Sequence, residues 1–202
     1  MTVVSPDDIL DDWIGPAAHD AVLAEARKRV WFGKSDAVDR DLQVRYLPTI
    51  EALAGGLDEA WAARGPRPRL AAIIAMDQFT RNIFRETPSA FALDTRALGL
   101  AKEGLVLGQD RELTEVEQMF FYLPLEHSER AADQQLSVDL FTKLLETARP
   151  AFKAMAEDTL DYANKHKAVI DQFGRFPHRN AILGRPSTPK EQEYLAQPGT
   201  GF

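Results

Sequence analysis

Leu70-Ala71-Ala72-Ile73-Ile74-Ala75-Met76 is a run of seven residues without a polar side chain, whereas most apolar stretches elsewhere in the chain recur at three- and four-residue intervals. A helix that is apolar all round is buried all round, so the segment opening at Leu70 is predicted at the centre of the molecule. Two long amphipathic helices are predicted near the C-terminal end, over residues 128–148 and 151–173. Their stripes are Leu136, Leu140, Leu144 and Phe152, Ala156, Thr159, Ala163, His166, Ile170, Phe173, both of helical period.

Caps and breakers divide the rest into helices. Ser5 before Pro6-Asp7-Asp8 places a hydroxyl cap, a pre-set first turn and two acids at one helix start. That helix should run through Ile9, Leu10 and Trp13 and stop at Gly15-Pro16. Further helices are expected over 17–30, from Ser35 with a bend at Pro48 to Gly55-Gly56, over 57–63, and over 89–107 with Gly108 as the stop. Thr114-Glu115-Val116-Glu117 and Thr188-Pro189-Lys190-Glu191 read as capping boxes. The first opens a helix that Pro124 should bend or end, and the second a short helix over 189–196. No stretch alternates as a strand does. The pattern predicts an all-α fold of antiparallel helical hairpins, forming a compact bundle or a short superhelix around the Leu70 segment. One domain over 1–202 is expected, with 174–202 as a C-terminal strap of loop and short helix.

Composition narrows the function classes. At 202 residues and 45% hydrophobic, the chain can bury a substantial core. The absence of cysteine removes disulfides, thiolate nucleophiles and cysteine-ligated metals, and fits a reducing compartment. No apolar run approaches the ~18 residues of a membrane span, and Met1 to Asp8 lacks the basic start of an export signal. A cytoplasmic location is therefore expected, with no membrane partner. A net charge of −7 disfavours diffuse attraction to nucleic acid. Oligomeric state is not legible.

Three apolar stretches pass directly into polar clusters led by an acid with an arginine four residues on: Asp77 and Arg81, Glu126 and Arg130, Asp171 and Arg175. Such spacing also makes ordinary helix-surface pairs worth ~0.2–0.5 kcal/mol. These stand apart by position, because the end of an apolar segment is where a solvated face is least expected. Asp77 and Arg81 continue the Leu70 line and should point inward. Asp-Gln-Phe-x-Arg occurs at Asp77 and again at Asp171, which is either a pseudo-repeat that would line one cavity from two sides or a coincidence of four matched residues. The segment from Gly174 to Arg185 gathers Arg175, His178, Arg179 and Arg185 beside Asn180 in an acidic chain. Guanidinium groups bind carboxylate and phosphate as a bidentate fork; the same arginines could instead tie the strap to helix-end carbonyls.

Of the four histidines, His19 reads as a surface residue and His166, on its apolar stripe, as a core histidine. His127 and His178 are the candidate general bases. His127, His178 and carboxylates such as Glu126, Glu129 or Asp133 could be assembled around an ion, but no spacing enforces it, and neither metal nor cofactor is predicted. Phosphate-loop, nucleophile-elbow and calcium-loop motifs are missing from the sequence.

Trp31-Phe32-Gly33, Asp77-Gln78-Phe79-Thr80-Arg81-Asn82-Ile83-Phe84, Tyr122-Leu123-Pro124-Leu125-Glu126-His127-Ser128-Glu129, Phe173-Gly174-Arg175-Phe176-Pro177-His178-Arg179-Asn180 and Leu183-Gly184-Arg185-Pro186 together resemble the bacterial family called domain of unknown function 924. Thr80 and Leu125 depart from the proline and phenylalanine frequent there. The resemblance implies a tetratricopeptide-like helical superhelix and assigns no activity. The ligand-binding set expected is Asp77, Arg81, Asn82, Glu126, His127, Asp171, Arg175, His178, Arg179 and Asn180. The leading expectation is a binding protein whose cavity holds an anionic small molecule or an acidic peptide end. The alternatives are a hydrolase- or lyase-type enzyme with a histidine base held by a carboxylate, and a scaffold with a peptide groove.

Overall fold

The computed structural model describes residues 2–200 and contains no strand among them. Eleven α-helices follow in order: α1 (Pro6–Trp13), α2 (Ala21–Trp31), α3 (Asp36–Ala52), α4 (Asp58–Ala62), α5 (Pro66–Ile74), α6 (Thr80–Ile83), α7 (Asp94–Val106), α8 (Glu115–Glu126), α9 (Ala131–Thr147), α10 (Lys153–Phe173) and α11 (Pro189–Leu195). α5 is the hub. Every residue from Leu70 to Met76 is fully buried, and α5 packs against α1, α4, α7 and α8. α9 and α10 pair most extensively; joined by residues 148–152, they form an antiparallel hairpin, which α8 packs against on the core side. The fold is all-α.

Local rules account for most helix ends. Ser5 and Asp8 close the first capping box, Thr114 and Glu117 the second, Thr188 and Glu191 the third. Gly108 and Gly174 stop α7 and α10 in the left-handed conformation that costs glycine least. Several boundaries differ from expectation. Gly15–Ala18 is a separate tight turn and α2 starts at Ala21, because Asp20, not an upstream residue, accepts from the Val22 and Leu23 amides. α7 starts at Asp94, since Pro88–Phe91 forms its own turn. α3 runs through Pro48, and α8 runs through Pro124 to Glu126. Each proline removes one backbone bond, and at Pro124 the buried residues from Val116 to Glu126 hold the last turn in place. Between α5 and α6 the helix widens into a π-type turn, Ala75–Phe79, with right-handed backbone on both sides. Such widened turns shift the helical register and recur at functional sites; here Asp77 lies in the middle of one.

Candidate functional site

The π-type turn delivers Asp77, α6 delivers Arg81, and both point into the protein. Asp77 is 1% exposed. Its Oδ1 lies 2.8 Å from Nδ1 of His127 and 3.1 Å from Nη1 of Arg81, and its Oδ2 accepts from Gln78 Nε2 at 2.6 Å. Burial alone would raise the Asp77 carboxyl; the Arg81 charge and the His127 contact outweigh it and hold the group below the usual carboxylate range. Arg81 also forms a bidentate fork with Asp94 at the start of α7, at 3.0 and 2.9 Å. Burial raises the Asp94 carboxyl despite the Arg81 charge beside it.

His127 follows the last residue of α8, and the turn beyond it is pinned by a buried amide. Gln134 Nε2, from α9, donates to the carbonyls of Glu126 at 2.6 Å and Ser128 at 2.7 Å. Burial, then the Arg81 charge, lowers the His127 imidazole. Its neighbour Glu126 faces α10, where Oε1 lies 3.1 Å from Nδ1 of His166. That is the distance of an ion pair, yet burial followed by the Asp77 charge pushes Glu126 up to about 8, and burial followed by the neighbouring His127 lowers His166 to about 3. Both are neutral at pH 7, so the contact is a hydrogen-bonding arrangement between uncharged groups. His166 Nδ1 also lies 2.9 Å from the Tyr162 carbonyl.

The strap completes the cluster. Arg179, 7% exposed, sits in the turn Pro177–Arg179 with its guanidinium carbon 4.7 Å from the ring centre of Phe91 and 4.6 Å from that of Phe176. Its only charged neighbour within ion-pair distance among the described residues is Asp94, at 3.6 Å, and its buried Nε makes no hydrogen bond to any of them. Burial and the like charge of Arg81 lower it to about 10. His178, against the Phe176 ring at 5.6 Å, is lowered by burial and by Arg179 to about 4. The cluster keeps a solvent edge: the side chains of Arg81, Asp94 and His127 are 20%, 20% and 14% exposed. Two surface clefts lie elsewhere, one of about 370 Å³ beside Asp12, Arg45 and Tyr46 and one of about 540 Å³ beside Lys102 and Val106.

The family model described as "Bacterial protein of unknown function (DUF924)" matches residues 9–199. The chain belongs to the DUF924 family. A solved structure, that of the protein of unknown function ATU0120 from Agrobacterium tumefaciens, is 34% identical, with a TM-score of 0.78 over 95% of this chain and 96% of that one. No curated protein matches.

Of the ten residues expected in this DUF924 chain's site, Asp77, Arg81, Glu126, His127, His178 and Arg179 meet in or beside the buried cluster. The other four do not. Asp171 is exposed and pairs with Lys167 at 2.5 Å. Arg175 is bound to Glu191 at 2.6 and 2.8 Å and to the Pro186 carbonyl. The two Asp-Gln-Phe-x-Arg segments therefore do not line one cavity, and Glu126 faces His166 instead of the exposed Arg130. Asn82 donates to Asp39 on α3. Asn180, fully buried, binds Ser187 and Arg185 and so folds the strap. Asp94, Phe91 and Phe176 were not among the expected residues. Asp94 sits at a helix start with no distinguishing spacing, and the two rings read as ordinary apolar positions. His166 was legible as a buried histidine but not as a neighbour of Glu126, which lies forty residues away in sequence.

Proposed function

We propose that the protein binds a small anion, a carboxylate- or phosphate-bearing molecule or the acidic end of a peptide, with Arg179 as its anchor. The observation that carries this is the state of Arg179: a buried guanidinium gripped between two phenyl faces, with an unpartnered Nε and one carboxylate beyond hydrogen-bond distance. Buried charges are ordinarily paired, and a guanidinium fork matches planar oxyanions. Arg81, already engaged by Asp77 and Asp94, would orient the site and not clamp the ligand. His178 would supply a ring N–H. No helix among the described residues is long and apolar enough to cross a membrane, and with the cysteine-free composition this supports a cytoplasmic setting for the ligand.

Inorganic phosphate and succinate, titrated in separate thermal-shift series, test the reading. Ligands that bind only the native state raise its apparent stability. A shift abolished by Arg179→Met and retained by Arg175→Ala is expected, because Arg175 is committed to Glu191. A flat response to both anions, or equal loss in the two variants, would remove Arg179 from the role.

One observation favours a second reading, a hydrolase- or lyase-type enzyme. The Asp77 carboxylate at 2.8 Å from Nδ1 of His127 sets the tautomer in which Nε2 is the basic atom, as a general base requires.

A further inference from the structure

We propose that Glu126, His127 and His166 form a binding site for a divalent transition-metal ion, zinc in the first instance. The three residues come from the end of α8 and the middle of α10, and one donor atom of each lies within 4.8 Å of the other two. Donors around a tetrahedral ion at ~2.1 Å are about 3.4 Å apart, a contraction that side-chain rotation supplies.

Three features of the surroundings suit a cation. Both imidazoles have their tautomer set by an acceptor at Nδ1. The Asp77 carboxylate faces Nδ1 of His127 at 2.8 Å, and the Tyr162 carbonyl, which can only accept, faces Nδ1 of His166 at 2.9 Å, the same atom that lies 3.1 Å from Glu126 Oε1. In each ring Nδ1 is therefore the donor and Nε2 carries the lone pair, the arrangement by which outer carboxylates and carbonyls orient metal-ligating histidines. The Oε2 atom of Glu126, a residue 4% exposed, accepts no hydrogen bond from any described residue. A buried carboxyl oxygen without a hydrogen-bond partner is costly, and a metal ion, taking the place of the carboxyl proton, would satisfy it directly. Gln134 pins the Glu126 and Ser128 carbonyls, so the turn that carries two of the three donors is held before any ion arrives.

The donor set, two imidazoles and one carboxylate, suits zinc and its neighbours in the first transition row and not magnesium or calcium, which take oxygen. Three protein donors leave a fourth position for water or a ligand atom. The site does not rest on the anion reading, since none of the three donors is Arg179.

The test uses the full chain, dialysed against a chelator and then titrated with zinc by calorimetry and with cobalt by visible absorption. One zinc per chain is expected, with intense cobalt bands of a four-coordinate site. Affinity should fall at least about tenfold in His166→Asn and in Glu126→Gln, both checked for folding by circular dichroism, and stay unchanged in Arg175→Ala, whose guanidinium is committed to Glu191. Magnesium at the same concentration should not compete. Failure of the wild-type chain to take up zinc at 100 times the protein concentration, or cobalt bands that persist in a folded His166→Asn, would overturn the proposal. Absence of four-coordinate cobalt bands in the wild type would overturn the proposal without any variant, so the test survives a variant that does not fold.

Discussion

A carboxylate and a guanidinium inside a protein stabilise each other only while both are present. Asp77 is nearly sealed from water and faces Arg81, His127 and Gln78. Removing its carboxylate leaves Arg81 with a single carboxylate partner, Asp94, and leaves His127 without its acceptor. Asp77→Ala should cost on the order of 3–5 kcal/mol in urea unfolding, the usual penalty for stranding a buried charge. Asp171→Ala, which carries the same local motif on an exposed face, should change stability by less than about 0.5 kcal/mol. The comparison isolates burial, because the acid and the spacing to arginine are the same at both positions.

Helices position the cluster, and α7 meets α8 at a glycine. A Cβ added at Gly104 of α7 would stand 2.4 Å from Phe121 of α8 and 2.8 Å from the Arg69 side chain. Gly104→Ala should therefore destabilise the protein by roughly 1–3 kcal/mol, as overpacked cores do. Gly99, on the same helix, has open space around its Cβ position and is exposed. Gly99→Ala should stabilise by about 0.5–1 kcal/mol through helix propensity and reduced freedom of the unfolded chain. Chemical denaturation of the two variants checks both signs; a stabilising Gly104→Ala would mean that α7 and α8 separate more readily than their packing indicates. The capping boxes, the glycine stops and the all-apolar α5 were legible because they depend on residues a few positions apart. The continuation of α8 through Pro124 was not, since it depends on the burial of that turn among other helices.

Across the whole molecule, α8 is tied to the connection between α9 and α10 by Glu115, which accepts from the Arg149 amide at 3.0 Å and from its guanidinium at 2.8 and 2.7 Å. The Arg149 hydrogen bonds, outweighing burial, lower the Glu115 carboxyl to about 2 from the ordinary 4.5. A carboxyl depressed on folding contributes stability that is complete above its unfolded value and is lost as pH falls through the folded one. The melting-temperature gap between wild type and Glu115→Gln should accordingly be widest above pH 5 and shrink between pH 4.5 and 2. A gap that stays constant over that range would show that the ion pair is screened by solvent. At the same scale, the strap folds back through Arg185, which binds Glu129 at 2.7 and 2.9 Å, and so brings Arg179 to Asp94.

Helix content, the capped and glycine-stopped helix ends, the central place of the Leu70 segment and the inward aim of Asp77 follow from the chain alone, because periodicity, caps and charge next to an apolar run are local properties. The partners of the charged groups do not. Arg81 chose Asp94, Glu126 chose His166 and Arg175 chose Glu191, in each case over the acid or arginine four residues away or in addition to it. A buried charge takes whichever opposite or hydrogen-bonding group the packing of distant helices brings within about 3 Å, and that distance exists only once the tertiary structure has formed.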